Sequence, residues 1–254
     1  GDKIKRANMR VSMHPGQYTV LNSPDNAVAR RAAEDLDYHA AVLDSLGLNS
    51  THKMVLHLGG VYGDKQQAKQ RFIQNYNHLS DSVKERLIIE NDGSLFNIED
   101  VLETGLAAQI PVVFDNLHNA INPVDATGTV RPEAAYDLEW IRQCSPTWHN
   151  YDGPQKIHYS QQHHQKRLGA HSDSIRIDEF LDFYNQLDGT NVDIMLEVKD
   201  KNISAVKCLN CVSNRGISQL EVEWARYKYS ILERSQESYS EIRQLLRDKD
   251  SYPA

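Results

Sequence analysis

Six short apolar segments of this chain each end in a side chain that can bind a metal ion. The residues at their carboxyl ends are His14, His57, Glu90, Asp115, His158 and Glu197. Apolar runs of this kind are typical of strands buried on both faces of a parallel sheet. Any fold for this chain must therefore explain why six buried strands all finish in imidazole or carboxylate groups.

Segments with the apolar spacing of helices separate these strands. Residues 26–46 carry apolar side chains at helical intervals, and Asp64 is placed to cap the next helix. Asn97 opens another helix, Pro132 suits the first position of a fourth, and residues 177–187 form a further apolar face. The alternation of strand and helix predicts successive βα units.

Two architectures alternate strand and helix in this way. An open doubly wound sheet gathers its site at one switch point, whereas a closed barrel brings every strand end to one rim. Because all six strands end in a candidate ligand, we favour an α/β fold of the TIM (β/α)₈-barrel type. We count six βα units, and the chain begins almost directly on a strand at Met9. The sequence is therefore expected to lack the first two βα units.

The pattern changes after Glu197. Residues 199–210 are predicted to form the last barrel helix, and residues 217–248 have helical spacing with interleaved aromatic and basic residues. We expect an N-terminally incomplete barrel over residues 1–212 and a C-terminal helical extension over 213–254. A helical hairpin packed outside the barrel and a nucleic-acid or partner contact are both open interpretations of the extension.

The composition is that of an ordinary globular protein, with 40% hydrophobic and 25% charged residues. The sequence has no apolar run of about 20 residues and no signal peptide, so no membrane association is expected. Three cysteines favour a reducing compartment, hence the cytoplasm. The net charge of −7 is unusual for a nucleic-acid protein. Three divalent ions would, however, return about six positive charges at one place.

The candidate ligands are imidazoles and carboxylates, without thiolates. This mixture suits Zn²⁺ or Mn²⁺ in a catalytic site that carries water. A single histidine at a strand end is more often a packing residue, but six such positions in phase predict a metal centre. Asp115 ends a strand and His118 lies on the following turn, so the two can serve neighbouring ions. Glu90 lies in the middle of the set and is predicted to bridge two ions.

Longer motifs surround these residues: His14-Pro-Gly-Gln17-Tyr18, His57-Leu-Gly-Gly60, Glu90-Asn-Asp92, Phe114-Asp115-x-x-His118, Lys156-x-His158-x-Ser160, His171 and Glu197. Together they resemble the UV damage endonuclease family, which is related to the endonuclease IV type of abasic-site nuclease. The resemblance runs from Met9 to Lys199 and includes residues that are not metal ligands. It implies a metal-dependent barrel nuclease.

The resemblance implies three divalent ions, Mn²⁺ or Zn²⁺ or both. It assigns His14, His57 and Glu90 to the first ion, Glu90, Asp115, His158 and Glu197 to the second, and His118 and His171 with Lys156 to the third. Glu90, Lys156 and His118 are the implied catalytic residues. The family carboxylates this lysine, and a lysine beside cations has a lowered pKa that favours reaction with CO₂. The alternative is that Lys156 stays an unmodified amine and contacts a DNA phosphate.

The reaction implied is hydrolysis of the phosphodiester immediately 5′ to a UV photoproduct in double-stranded DNA, by a cytoplasmic, monomeric enzyme acting on the nucleoid. Gln17 and Tyr18 would probe the lesion, the ring replacing lost stacking. The alternative interpretation is structural: the Gln17 amide caps the turn, and Tyr18 is half-buried. Lys166 and Arg167 follow the strand of His158 and are candidates for phosphate contacts, or else belong to a solvated loop.

Three other functions fit the same residues. Abasic-site nucleases and metal-dependent sugar isomerases or epimerases use His, Glu and Asp at barrel strand ends. The third interpretation, which the expected absence of two strands raises, is a non-catalytic binder of metal or DNA. The isolated Cys208-Leu-Asn-Cys211 motif is expected to have neither a zinc nor a redox role.

Overall fold

The structure is a computed structural model that describes residues 1–124 and 133–213. In these ranges six parallel strands form one sheet, and their spatial order is their order along the chain. The strands are β1 (Ser12–Met13), β2 (Lys53–His57), β3 (Leu87–Glu90), β4 (Val112–Asp115), β5 (Gln155–Tyr159) and β6 (Val192–Leu196). Every predicted ligand at a strand end therefore lies at or beside the carboxyl end of an observed strand.

The sheet is strongly curled. β5 lies four positions from β1, which in a flat sheet would separate them by about 19 Å. Lys156 Nζ of β5 nevertheless donates a hydrogen bond to Ser12 Oγ of β1 at 3.1 Å. The rings of His14 and His158 have centroids 6.4 Å apart. The two strands thus face each other across the interior, and the described fold is a partial barrel, which confirms the predicted barrel-type α/β class.

Alternation along the strands separates an outer core from an inner one. Leu56, Ile89 and Phe114 point outward into the main hydrophobic core beneath the helices. Val55, Ile88 and Val113 point inward and pack together. Because side chains two positions apart share a face, His57, Glu90 and Asp115 continue the inward row at the carboxyl ends of β2, β3 and β4. The apolar inner cluster forms the floor beneath these polar groups.

Helices alternate with the strands, and most of them pack on the outer face of the sheet. They are α1 (Asp2–Arg6), α2 (Asn26–Ser45), α3 (Lys65–Asn77), α4 (Asp81–Lys84), α5 (Ile98–Ala108), α6 (Asn116–Ile121), α7 (Glu133–Cys144), α8 (Ile177–Gln186) and α9 (Asn202–Ser213), with 3₁₀ turns at Ser145–Thr147 and Asn150–Asp152. The predicted cap at Asp64 accepts from the backbone N–H of Gln67, and Asn97 forms a capping box with Asp100. Pro132, the predicted start of a helix, lies outside the described residues.

A polar cluster joins strands at the amino end of the barrel. Arg10 pairs with Asp193 of β6 and also donates to the backbone oxygens of Thr51, Asp152 and Pro154. Within the described residues β1 and β6 are the two edges of the sheet. Arg10 therefore links the first strand region to the last at the end opposite the predicted metal site.

No helix in the described ranges combines the length and apolarity needed to cross a membrane.

The predicted last barrel helix is observed as α9. It contains Cys208, which is buried, and Cys211. The predicted helical segment 217–248 lies outside the described residues, so the domain division at residue 212 stays a prediction.

Candidate metal centre

Glu90 is the common member of the predicted site. Within the described residues it belongs to three groups of side chains whose ligand atoms lie within 4.8 Å of one another. The groups are His14, His57 and Glu90; Glu90, Asp115 and His118; and Glu90, His158 and Glu197. The first group is the set that the family resemblance assigns to the first ion.

The two carboxylate oxygens of Glu90 face different pairs of histidines. Oε2 lies 3.4 Å from Nε2 of His14 and 4.0 Å from Nε2 of His57. Oε1 lies 3.1 Å from Nδ1 of His158 and 3.4 Å from Nδ1 of His118. A carboxylate with one oxygen directed to each of two ligand sets has the geometry of a bridging ligand in a multi-metal site.

Buried polar atoms of the site lack the partners that buried polar atoms normally have. Both carboxylate oxygens of Glu90, Oδ2 of Asp115 and both ring nitrogens of His158 have no hydrogen-bond partner among the described residues. Glu90 is 1% and Asp115 0% exposed. Divalent ions of the Mn²⁺ or Zn²⁺ type would satisfy these imidazole and carboxylate atoms, so the residues present fit the predicted metals.

Backbone oxygens orient several of the imidazoles. Nδ1 of His14 lies 3.2 Å from the carbonyl oxygen of Pro15, and Nδ1 of His57 lies 3.3 Å from that of Glu90. Nδ1 of His118 lies 2.9 Å from the carbonyl oxygen of Asn91. In His14 and His57, an Nδ1 that donates to a carbonyl leaves Nε2, the nitrogen that faces Glu90, free to bind a metal. A ligating histidine usually makes such a second hydrogen bond through its other ring nitrogen.

Burial and charge act in opposite directions on the carboxylates. Burial alone would raise the pKa of Glu90, but the charge of His158 and the nearby imidazoles of His118 and His14 hold the pKa well below its usual range. Burial raises the pKa of Asp115 to about 7, against the opposing charge of His118. Glu90 is therefore ionised at neutral pH, and Asp115 needs a further positive charge to be fully ionised there.

The histidines respond to the same charges. Burial lowers the pKa of His158, but Glu90 and Glu197 outweigh it and raise the pKa to about 10. Burial likewise lowers the pKa of His118, while Glu90 and Asp115 raise it to about 9. Without ions these two imidazoles carry the positive charge that the buried carboxylates require. An incoming metal ion replaces those protons.

The members predicted for the third ion lie beside different partners. His118 Nδ1 lies 3.7 Å from Asp115 Oδ1, and His171 Nε2 lies 3.7 Å from Glu197 Oε2. The structure therefore groups His118 with Glu90 and Asp115, and it does not place His118 and His171 in one ligand group. Their shared ion stays a prediction.

Lys156 lies deeper in the barrel than the histidines. It precedes His158 by two residues on the same inward face of β5, and its Nζ is hydrogen-bonded to Ser12 Oγ. Burial, together with the charge of Arg10, lowers its pKa to about 8. A substantial fraction of the amine is therefore neutral near physiological pH, which is the form that reacts with CO₂.

The predicted lesion-probing residues lie on the loop after β1. Tyr18 is 85% exposed and Gln17 is also exposed. The half-buried alternative for Tyr18 is therefore wrong.

The predicted phosphate contacts lie on the loop after β5. Lys166 is exposed and pairs with Asp173 at 3.1 Å, and Arg167 is exposed.

Three asparagines that the sequence analysis missed join neighbouring loops of the site. Asn91 donates to the carbonyl oxygen of Asp115 and accepts from its N–H, at 3.0 and 2.8 Å. Asn116 makes the same pair of bonds with Ser160, and Asn22 with Gly60. We call these contacts the asparagine clasps. Asn91 and Asn116 directly follow the ligands Glu90 and Asp115, which was the available signal in the sequence.

Comparison with known proteins gives concordant findings. The family model described as "UV-endonuclease UvdE" matches residues 1–225. The UV DNA damage endonuclease of Clostridium perfringens is 41% identical over 98% of this chain and 60% of its own length. The UV-damage endonuclease of Schizosaccharomyces pombe is 35% identical over 79% of this chain and 33% of its own length. This chain thus spans about 60% of the clostridial relative.

Solved structures agree with the fold. The crystal structure of SacUVDE superposes with a TM-score of 0.74 at 37% identity, over 84% of this chain and 68% of that one. L-ribulose 3-epimerase superposes with a TM-score of 0.55 at 16% identity, over 93% of this chain and 83% of that one. The second likeness concerns the fold alone.

Proposed function

The chain belongs to the UV-endonuclease UvdE family, and we propose that it is a metal-dependent DNA endonuclease that hydrolyses the phosphodiester bond immediately 5′ to UV photoproducts in duplex DNA. Relatives named as UV damage endonucleases support the nuclease class. The position of the cut, the lesion and action on abasic sites are parts of the proposal.

The observation that carries the metal dependence is the buried carboxylate of Glu90 with a pair of histidines at each oxygen. His14, His57 and Glu90 would hold the first ion, and Glu90, Asp115, His158 and Glu197 the second. His118 and His171 would hold the third, with a carboxylated Lys156 beside them. When bound, Mn²⁺ or Zn²⁺ ions supply an activated water and neutralise the charge on the phosphate and leaving oxygens.

The chain's own residues fix the geometry of that chemistry. Glu90 keeps two pairs of histidines apart, because one carboxylate oxygen faces His14 and His57 and the other faces His118 and His158. The apolar floor of Val55, Ile88 and Val113 keeps water away from the underside of the site, so charges above it interact more strongly than in bulk water. No side chain at the centre is required as a nucleophile.

Recognition of damage is assigned to the exposed loops around the centre. Tyr18 would stack on a base that has lost its neighbour, and Gln17 would occupy the space of a disrupted pair. Lys166 and Arg167 would contact phosphates on the opposite side. The substrate is therefore proposed to be damaged double-stranded DNA, cut by a monomer inside the cell.

Nicking assays test the proposal directly. The protein, loaded with Mn²⁺, is incubated with duplexes that carry one UV photoproduct, one abasic site or no damage, and in parallel with ketose and aldose sugars. We expect a metal-dependent nick 5′ to the photoproduct that EDTA abolishes. Turnover of sugar alone would overturn the proposal in favour of an isomerase or epimerase, and binding of damaged DNA without cleavage would favour a non-catalytic binder.

Glu90→Gln is the decisive variant because it preserves size and removes the bridging charge. We expect nicking to fall by about 100-fold or more. Removing a group that only orients a metal ligand usually costs about 10- to 100-fold, and loss of the ligand itself should cost more. Glu34→Gln, at an exposed position on α2, is the matched control and should retain the activity. An unchanged nicking rate in Glu90→Gln would exclude the bridging role.

A further inference from the structure

The loop between β5 and α8 holds an apolar side chain in solvent. Leu168 is 72% exposed, although it belongs to a segment with many internal hydrogen bonds. Gln162 accepts from Gly169 N at 2.7 Å and donates to the carbonyl oxygen of Arg167 at 3.0 Å. His163 N donates to the carbonyl oxygen of Ala170 at 2.7 Å. The loop is thus ordered by its own bonds, and it presents Leu168 at its tip.

The neighbours of Leu168 have the charge that a polyanion attracts. Lys166 and Arg167 precede it and are both exposed. Lys166 is partly neutralised by Asp173 at 3.1 Å, whereas Arg167 has no acidic partner among the described residues. An exposed leucine next to cations fits a partner that offers both apolar faces and negative charge. Unstacked bases on a phosphate backbone have this combination.

The loop follows a strand that faces the strand before Tyr18. β1 and β5 face each other across the interior, with Lys156 Nζ 3.1 Å from Ser12 Oγ and the rings of His14 and His158 6.4 Å apart. Tyr18 follows β1 by five residues, and Leu168 follows β5 by nine. Tyr18 and Leu168 are therefore exposed on loops that leave two facing strands at the end of the barrel that carries the candidate ligands.

We propose that Leu168 is a second apolar probe, which inserts against the unstacked bases of a distorted duplex from the side opposite Tyr18. This inference rests on the proposed function and adds a specificity residue to it. A photoproduct weakens the stacking and pairing of its neighbours, so a leucine can enter there at lower cost than in an intact duplex. Leu168 thereby favours damaged over undamaged DNA.

The test uses a duplex with one thymine photodimer and 2-aminopurine in the opposite strand, whose fluorescence rises on unstacking. Leu168→Ala is compared with Leu106→Ala, which truncates a leucine that is 57% exposed on α5, away from the site. Leu168→Met keeps the apolar volume and should behave as the unchanged protein. Metal-loaded full-length protein is used throughout, and thermal denaturation checks that each variant is folded.

We expect Leu168→Ala to bind the photodimer duplex about tenfold more weakly, as for loss of a central apolar contact, with a smaller fluorescence increase. Binding to undamaged duplex should change less than twofold. Equal affinity and fluorescence for Leu168→Ala and Leu106→Ala would overturn the inference while leaving the proposed function intact. A protein that neither binds nor nicks the photodimer duplex before any substitution would overturn both.

Discussion

A buried amine whose pKa lies close to physiological pH is unusual among lysines, whose ordinary pKa is about 10.4. Burial and the charge of Arg10 lower the pKa of Lys156 to about 8, and its hydrogen bond is to a serine hydroxyl. The neutral amine can attack CO₂, forming an N–C bond with loss of one proton, which yields a carbamate anion close to the cationic centre. Because Lys156 precedes His158 by two residues on the same face of β5, that anion would join the proposed site.

We expect protein incubated with ¹³C-bicarbonate at about pH 8, near the pKa of this lysine, to show a carbamate carbon signal by NMR. The signal should disappear in Lys156→Gln and persist in Lys201→Gln, which changes an exposed lysine before α9. Nicking should fall in Lys156→Gln. Absence of the signal from the unmodified protein would favour the plain amine.

The raised pKa values of His118 and His158 make metal binding depend on pH. Burial lowers both, but the neighbouring carboxylates raise them to about 9 and about 10. The protonated rings stabilise the ion-free fold fully below about pH 6.5, and this contribution is lost as the pH rises through the folded-state values. Because an ion must displace the protons, its affinity should rise about tenfold per pH unit for each proton released.

Thermal denaturation with and without Mn²⁺ at about pH 6 and about pH 8 checks this expectation, since both pH values lie below the raised histidine pKa values. The increase in Tm caused by Mn²⁺ should be larger at the higher pH. His39→Gln, on the outer helix α2, should leave the difference unchanged. An equal increase at both pH values would contradict proton displacement by the ions.

At the scale of elements, the asparagine clasps connect strand ends that backbone pairing no longer reaches. Each one uses an amide side chain to repeat the two hydrogen bonds of a peptide group on the next loop. The ligand-bearing turns are therefore held to each other as well as to their own strands. Asn91 in particular fixes the backbone of Asp115.

We expect Asn91→Ala to weaken Mn²⁺ affinity by about 10- to 100-fold, the effect usual for a group that orients a ligand. Asn91→Asp keeps the acceptor for the N–H of Asp115 and loses the donor, so an intermediate effect is expected. Asn185→Ala, at an exposed position on α8, is the control. Calorimetric titration of the metal-stripped variants with Mn²⁺ measures the three affinities. Equal affinities would show that the hydrogen bonds of Asn91 to Asp115 do not contribute to metal binding.

The sequence predicted the strand ends because burial and period are local properties. It predicted a strand from Met9 that ends at His14, whereas β1 comprises only Ser12–Met13. β1 pairs with β2 alone in the described sheet, and Pro15 cannot donate a ladder hydrogen bond. The clasps escaped prediction because they depend on the register between loops, which no single segment encodes.

At the scale of the whole molecule, the curl of the sheet brings residues of β1 and β5 together. The sequence predicted this closure from six ligands in phase. It did not predict the link between Arg10 and Asp193, since a single arginine before a strand has no distinctive pattern. Nor did it predict that Glu90 would contact four histidines, which requires the interior geometry.

Arg10→Met should destabilise the fold by about 1–3 kcal/mol, because partly buried backbone oxygens and Asp193 would lose a charged donor. Urea denaturation of ion-free protein measures the change. Arg30→Met, at a solvent-exposed pair on α2, should cost less than about 0.5 kcal/mol. Similar midpoints for the two variants would show that the link at the amino end contributes nothing to stability.

The sequential order of the strands also bears on how the molecule is made. Each strand pairs with its predecessor in the chain, so the sheet can grow by addition while synthesis continues. The bond between Arg10 and Asp193 spans 183 residues and must wait for β6. Glu197, which completes one ligand group, emerges later still. A nascent chain halted before β6 would carry two ligand groups and lack the third, so full metal loading would require a chain synthesised past β6.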